Sequence, residues 1–165
     1  MSDLERNYYD ALNLTIAQHP SESLDRMMAK LLAFSINAQA GLVFTKGLSS
    51  VDEPDIWIRS LDEQTSLWID VGEPSPDRIK KASRQAGEVK VYSFNSKSDV
   101  WWKQGRSKFA MLKVSIFRFD SQSIKAFTAL VERTMDLSIT ITGDSAFIAT
   151  DLGECEVAWE PLQVV

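Results

Sequence analysis

Apolar residues alternate with polar ones near the start and end of this chain and recur at helical spacing in between, a pattern that predicts alternating strands and helices. Leu12, Leu14 and Ile16 alternate with Asn13, Thr15 and Ala17, which reads as a half-buried strand ended by His19-Pro20. Leu24, Met27, Met28, Leu31 and Leu32 then predict a helix, which Ser21 can cap and whose pattern is followed by Gly41. A strand from Leu42 to Thr45 leads into an acidic turn. Between Lys46 and Gln64 two readings stand: Ile56-Trp57-Ile58 as a strand, or a short helix opened by Pro54. Ser66 to Val71 is apolar almost throughout, as in a central strand covered on both faces, with Asp70 at its exit.

Gly72, Pro74 and Pro76 break the chain before Asp77 caps a short helix, Arg78 to Ala86, and Val89 to Phe94 returns as a strand, completing a β-α-β unit. A helix around Ser98 to Lys108, a strand from Leu112 to Phe119 and a helix from Ser121 to Arg133 follow. Leu137, Ile139 and Ile141 alternate with polar residues up to Gly143-Asp144, and strands at Phe147 to Thr150 and Glu156 to Trp159 complete a C-terminal β-meander. The expected architecture is α/β: one mixed sheet with helices packed on it, in a single domain over residues 1–165.

Bulk properties narrow the setting. A chain of 165 residues with 44% apolar and 25% charged residues is of a size and composition that fold around one core. One cysteine, Cys155, and the polar start Met-Ser-Asp-Leu-Glu-Arg point to a cytoplasmic protein, and the uncharged run Leu31 to Thr45 is too short to span a bilayer. No membrane association is expected. The net charge of -5 is unevenly spread: from Asp77 to Arg118 eleven Lys or Arg stand against three acids, so that stretch is +8 and the rest -13. A basic face is one reading; charges that average out over separate elements are the other.

No Walker loop, GxGxxG or cysteine pair is present, and the single histidine, His19, stands before a proline at a strand end, a poor place for the base of a hydrolase triad. Carboxylates remain: Asp52, Glu53, Asp55 and Asp70. Hard cations such as Mg²⁺ take one or two acids with phosphate and water. Alternation puts Leu67, Ile69 and Val71 on one face of the central strand and Trp68 with Asp70 on the other, where an acid needs a partner or a metal. A strand-end acid capping the Gly72 turn explains Asp70 equally, and acids around Pro54 also suit a helix start. Lys80 or Lys81, with Gln85 beside Lys81 one turn on, can neutralise a phosphate, although pairing with Asp77 on a solvated helix is the commoner role. Glu22 suits the first turn of the first long helix through the dipole alone. Trp101 and Trp102 lie in the basic stretch, where they can stack on bases or divide between core and rim.

Asp3-Leu4-Glu5-Arg6-Asn7-Tyr8-Tyr9, His19-Pro20-Ser21-Glu22, Arg26-Met27-Met28, Phe44-Thr45-Lys46-Gly47-Leu48, Asp52-Glu53-Pro54, Leu67-Trp68-Ile69-Asp70, Arg78-Ile79-Lys80-Lys81-Ala82, Trp101-Trp102 and Arg133-Thr134-Met135 together resemble the YaeQ family over nearly the whole chain. That family is similar in fold to the PD-(D/E)XK nucleases, the restriction endonuclease-like group, whose core runs helix, three strands, helix, strand. The resemblance implies that Asp52-Glu53-Pro54 stands near that group's first acid and Asp70 at its second. The implied metal ligands are Asp52, Glu53 and Asp70, the cofactor Mg²⁺, and the catalytic set Glu53, Asp70, Lys80, Lys81, Gln85 and Glu22. Where the nuclease pattern has a lysine two residues after the second acid, this chain has Gly72. Compared with the family it is also expected to lack a strand before Asp3, which would expose an edge of the Leu12 to Ile16 strand unless the start codon is misassigned. Two functions follow as expectations: Mg²⁺-dependent phosphodiester hydrolysis, or a non-catalytic module that binds nucleic acid or a protein partner.

Overall fold

The computed structural model describes residues 2–3, 8–9, 11–15, 23–45, 53–62, 64–130, 134–150 and 152–164. Eleven strands and four helices follow one another: β1 (Ser2–Asp3), β2 (Tyr8–Tyr9), β3 (Ala11–Thr15), α1 (Leu24–Ile36), β4 (Leu42–Phe44), β5 (Ile56–Arg59), β6 (Thr65–Val71), α2 (Pro76–Gln85), β7 (Ala86–Ser93), α3 (Ser98–Phe109), β8 (Ser115–Phe119), α4 (Ser121–Ala129), β9 (Thr134–Thr142), β10 (Ser145–Thr150) and β11 (Gly153–Gln163) among the described residues. This is a mixed α/β fold.

The strands form one continuous sheet in the order β2-β1-β9-β10-β11-β8-β7-β6-β5-β4, with β3 also paired to β9. β4, β5 and β6 are antiparallel, whereas β6, β7 and β8 run parallel and are connected through α2 and α3. β11 is longer than its alternation predicts. Its end pairs antiparallel with β8, from Trp159 opposite Phe119 to Gln163 opposite Ile116, and so joins the meander to the parallel strands.

Alternation along the central strands sorts side chains between two cores. Leu67, Ile69 and Val71 pack with Met28, Leu32, Ile124 and Phe127 of α1 and α4. Trp68, Val89, Val91 and Ile116 pack with Ile79 and Ala82 of α2 and Phe109 of α3. α1 and α4 therefore cover one face of the parallel strands, and α2 and α3 the other.

Several boundaries differ from the periodicity for local reasons. The open segment resolves as a strand, because Ile56, Trp57 and Ile58 align with Ile69, Trp68 and Leu67 of β6. Ser23 caps α1 by accepting the Arg26 N–H, with Ser21 outside the described residues. α1 ends at Ile36 because Asn37 folds its amide back onto Ala33 O at 2.8 Å, before Gly41 is reached. Ser75 rather than Asp77 caps α2, and β7 begins directly at Ala86. The turn after α3 delays β8 to Ser115, and α4 stops at Ala129. No helix of the described residues is long and apolar enough to cross a membrane.

Candidate functional site: two buried aspartates clamped by arginines

Asp70 lies at the carboxyl end of β6, 3% exposed, on the face shared with Trp68. Its partner is Arg78 in the first turn of α2, whose Nε donates to Oδ2 at 3.0 Å and whose Nη2 donates to Oδ1 at 3.2 Å. The same Nη2 donates to the carbonyl of Glu53 at 2.8 Å. The guanidinium also sits 5.9 Å from the centre of the Trp68 ring. Burial pushes the Asp70 carboxyl above its ordinary value of 3.8; Arg78 pulls against that rise, and the negative charge of Asp55 adds to it. Among the described residues the buried indole N–H of Trp68 has no hydrogen-bond partner of normal geometry, though its dipole still favours the ionised Asp70.

Asp55, just ahead of β5, is the second buried acid, 6% exposed. Arg26 Nη2 donates to its Oδ1 at 2.5 Å, and the backbone N–H of Val71 donates to its Oδ2 at 2.8 Å. Arg26 Nη1 also donates to the Val71 carbonyl. One carboxylate and one guanidinium thus hold both backbone groups of Val71, the residue after Asp70. Every oxygen of the two carboxylates accepts a charge-assisted or backbone bond.

Both arginines arise in the same local way. Ser23-Leu24-Asp25-Arg26 and Ser75-Pro76-Asp77-Arg78 each open a helix, the serine side chain accepting the arginine's backbone N–H. A cation in a first helical turn opposes the helix dipole, so it needs another reason to be there. A buried aspartate supplies that reason twice. This repeated Ser-x-Asp-Arg is the signal by which Arg26 and Arg78 are findable in the sequence. Asp55 stood among the candidate acids, but only its contact with Val71 distinguishes it from its neighbours.

Gly72 has φ +120°, and its N–H donates to Tyr92 O at 2.8 Å. A Cβ there would lie 3.1 Å from Arg26 Nη1, which Asp55 and Val71 hold in place. A lysine at position 72 is therefore strained on two counts: the backbone conformation, which only glycine adopts freely, and the approach to Arg26, which would have to give way by a few tenths of an ångström. Next along, Glu73 ties β6 to the end of β7 by accepting from Phe94 N at 3.1 Å and from the Asn95 amide.

The other sequence-derived positions fall elsewhere. Glu22, Asp52 and His19 lie outside the described residues. Glu53 meets the site through its carbonyl. Lys80, about 200° around the helix from Arg78, is exposed and lines a groove of about 340 Å³ between α2 and α3 with Lys108 and Met111. Lys81 and Gln85 are exposed on α2. Trp101 donates its indole N–H to Pro74 O at 2.8 Å, and both Trp101 and Trp102 pack on Phe109 at 5.1 and 6.0 Å between ring centres. Their rings serve the second core.

A profile of the YaeQ protein family matches residues 1–159. This chain belongs to the YaeQ family. It is 38% identical over 165 residues to "Uncharacterized protein YaeQ" of Escherichia coli (strain K12), covering 97% of this chain and 91% of that protein, and 37% identical to the protein of that name in Salmonella typhi. Crystal structures of YaeQ proteins from Xanthomonas axonopodis pv. citri and Pseudomonas syringae superpose with TM-scores of 0.92 and 0.90 at 34% and 32% identity. Each match covers 99% of this chain, with 94% and 92% of the respective relatives. The whole sheet with its four helices is accordingly the YaeQ fold.

Proposed function

We propose that this YaeQ chain is a non-catalytic binding module built on a scaffold of the PD-(D/E)XK nuclease kind. Support for the scaffold comes from the run α1, β4, β5, β6, α2, β7, which has the order helix, three strands, helix, strand, with Asp70 at the end of the third strand. The observation that carries the non-catalytic reading is the arginine on each buried acid. Two carboxylates and two guanidiniums sum to no net charge, and a divalent cation entering there would meet two fixed positive groups. Among the described residues no group of three or more His, Cys, Asp or Glu converges on a point. The acids as they are held do not fit Mg²⁺, and the conformation of Gly72 disfavours a lysine at its usual place. Burial of paired acids at a strand end then acts structurally, fixing β5, β6 and the starts of α1 and α2 to one another.

Thermal melts with millimolar Mg²⁺ or Mn²⁺, run beside DNA and RNA cleavage assays, test this. The melting temperature should not move and the substrates should stay intact. Metal-dependent cleavage that Asp70→Asn abolishes would overturn it.

One observation favours the second reading, Mg²⁺-dependent phosphodiester hydrolysis. Asp55 lies near enough to Asp70 to raise its pKa, as acids that share a cation do. For that chemistry Arg26 and Arg78 would have to release their acids. A stabilising shift with Mn²⁺, larger in Arg78→Ala than in the parent, is its signature.

A further inference from the structure

Much of the basic stretch of the sequence comes to lie on two neighbouring helices. α2 and α3 cover the same face of the sheet, both packed on the core of Trp68, Val89, Val91 and Ile116. Their outer sides expose Lys80, Lys81 and Arg84 from α2, Lys103, Arg106 and Lys108 from α3, and Lys113 from the turn that follows. Two of the three acids in this stretch are matched by cations outside that set: Asp99 pairs with Arg118, and Glu88 lies 3.5 Å from Lys90. Of this stretch's three acids only Asp77 then stands beside these seven cations, on α2 itself. Lys80 and Lys108 line one groove, so a cation from each helix meets at the seam between α2 and α3, with the other exposed cations flanking it on the two helices.

What this layer withholds is as informative as what it offers. Trp101 and Trp102, the aromatic residues of α3 apart from Phe109, are packed on Phe109, which is fully buried. Both rings are partly buried against the second core, which leaves less of their faces for stacking than the recognition of unpaired bases uses. Cations beside aromatics that are engaged in this way suit a phosphate backbone whose bases are already paired. The remainder of the chain is strongly negative, so a polyanion is repelled from it and directed onto this one face.

We infer that the α2–α3 layer docks the phosphate backbone of duplex DNA. This rests on the binding-module reading and names its partner. Contacts to the backbone position a protein without reading sequence, so binding should be largely independent of the DNA sequence.

The test is fluorescence anisotropy of the full chain with a 20-base-pair duplex, in EDTA, over a series of salt concentrations. If four or more phosphates are engaged, the plot of log K against log salt has a slope of about -4 or steeper. Lys103→Glu/Arg106→Glu/Lys108→Glu should flatten that slope by roughly 3 and weaken binding more than about tenfold near 0.1 M salt. Lys80→Glu/Lys81→Glu should act in the same direction from the other helix, and Lys125→Glu on α4, across the sheet, should change nothing. Circular dichroism melts establish that each variant folds. A slope shallower than about -1, wild-type binding by both multiple variants, or preference for single strands or duplex RNA would overturn the inference. Because EDTA removes divalent ions, these outcomes are independent of the metal test: cleavage in Mg²⁺ would sink the non-catalytic reading and leave the docking face standing.

Discussion

Arg26 and Arg78 enter the molecule from opposite faces of one sheet, each from the first turn of a serine-capped helix, and each ends on a buried aspartate. The aspartates are nevertheless held differently. Asp55 divides its oxygens between a guanidinium and the Val71 backbone N–H, so it belongs to the strand edge as much as to α1. Among the described residues Asp70 takes both of its hydrogen bonds from the Arg78 side chain. The difference teaches that one pair is a clip in the sheet, while the other depends on a single side chain with 29% of its surface exposed. If either acid is ever freed for a ligand, it is Asp70.

The largest effect should come from removing that one partner. Arg78→Ala leaves Asp70 buried without its cation and should cost about 3–5 kcal/mol in urea unfolding. Arg26→Ala, in which Asp55 keeps the Val71 N–H, should cost less, about 1–3 kcal/mol. Asp70→Asn in the Arg78→Ala background should recover part of the loss, because no unpaired charge stays buried. Equal costs for the two arginines would erase the distinction between clip and clamp.

Next in size is Gly72→Lys, which restores the residue type of the nuclease pattern. The positive φ and the proximity of Arg26 predict a loss of about 1–3 kcal/mol and no gain of cleavage. A variant as stable as the parent would mean that Arg26 yields more easily than its two anchors indicate.

The smallest effect is a pH dependence. A carboxyl whose folded pKa lies above its unfolded value binds its proton more tightly in the folded state, so its contribution to stability declines as pH rises through the window between the two values. For Asp70 that window opens at the ordinary 3.8 and closes at the raised folded value. Asp70→Asn should abolish this component, seen as a changed slope of unfolding free energy against pH on the acid side of neutrality. An identical slope in the variant would show that Arg78 cancels the burial cost entirely.

Much of this molecule follows from local pattern. Alternation at Leu67, Ile69 and Val71 against Trp68 and Asp70 assigned both faces of β6, since side chains on a strand must alternate. Helical spacing likewise placed α1 and α4, and the acidic site was legible as an acid at a buried strand end. What pattern alone left open was decided at a distance. Ile56-Trp57-Ile58 is a strand because β6 lies beside it, and short apolar runs carry no period that distinguishes strand from helix.

The cation at Asp70 is Arg78 instead of Lys80 or Lys81 because the helix start, set by Ser75, aims its first turn at the sheet and turns the lysines to solvent. Asp55 reaches Val71 only through the pairing of β5 with β6. Gly72 reads in sequence as a missing catalytic lysine; in three dimensions it is the residue that lets Arg26 pass. The sequence by itself determined which segments alternate, which coil, and that buried acids would need partners. Tertiary structure decided who those partners are, because a burial cost fixes only that a charge must be met, and the crossing of strands and helices selects the group that meets it.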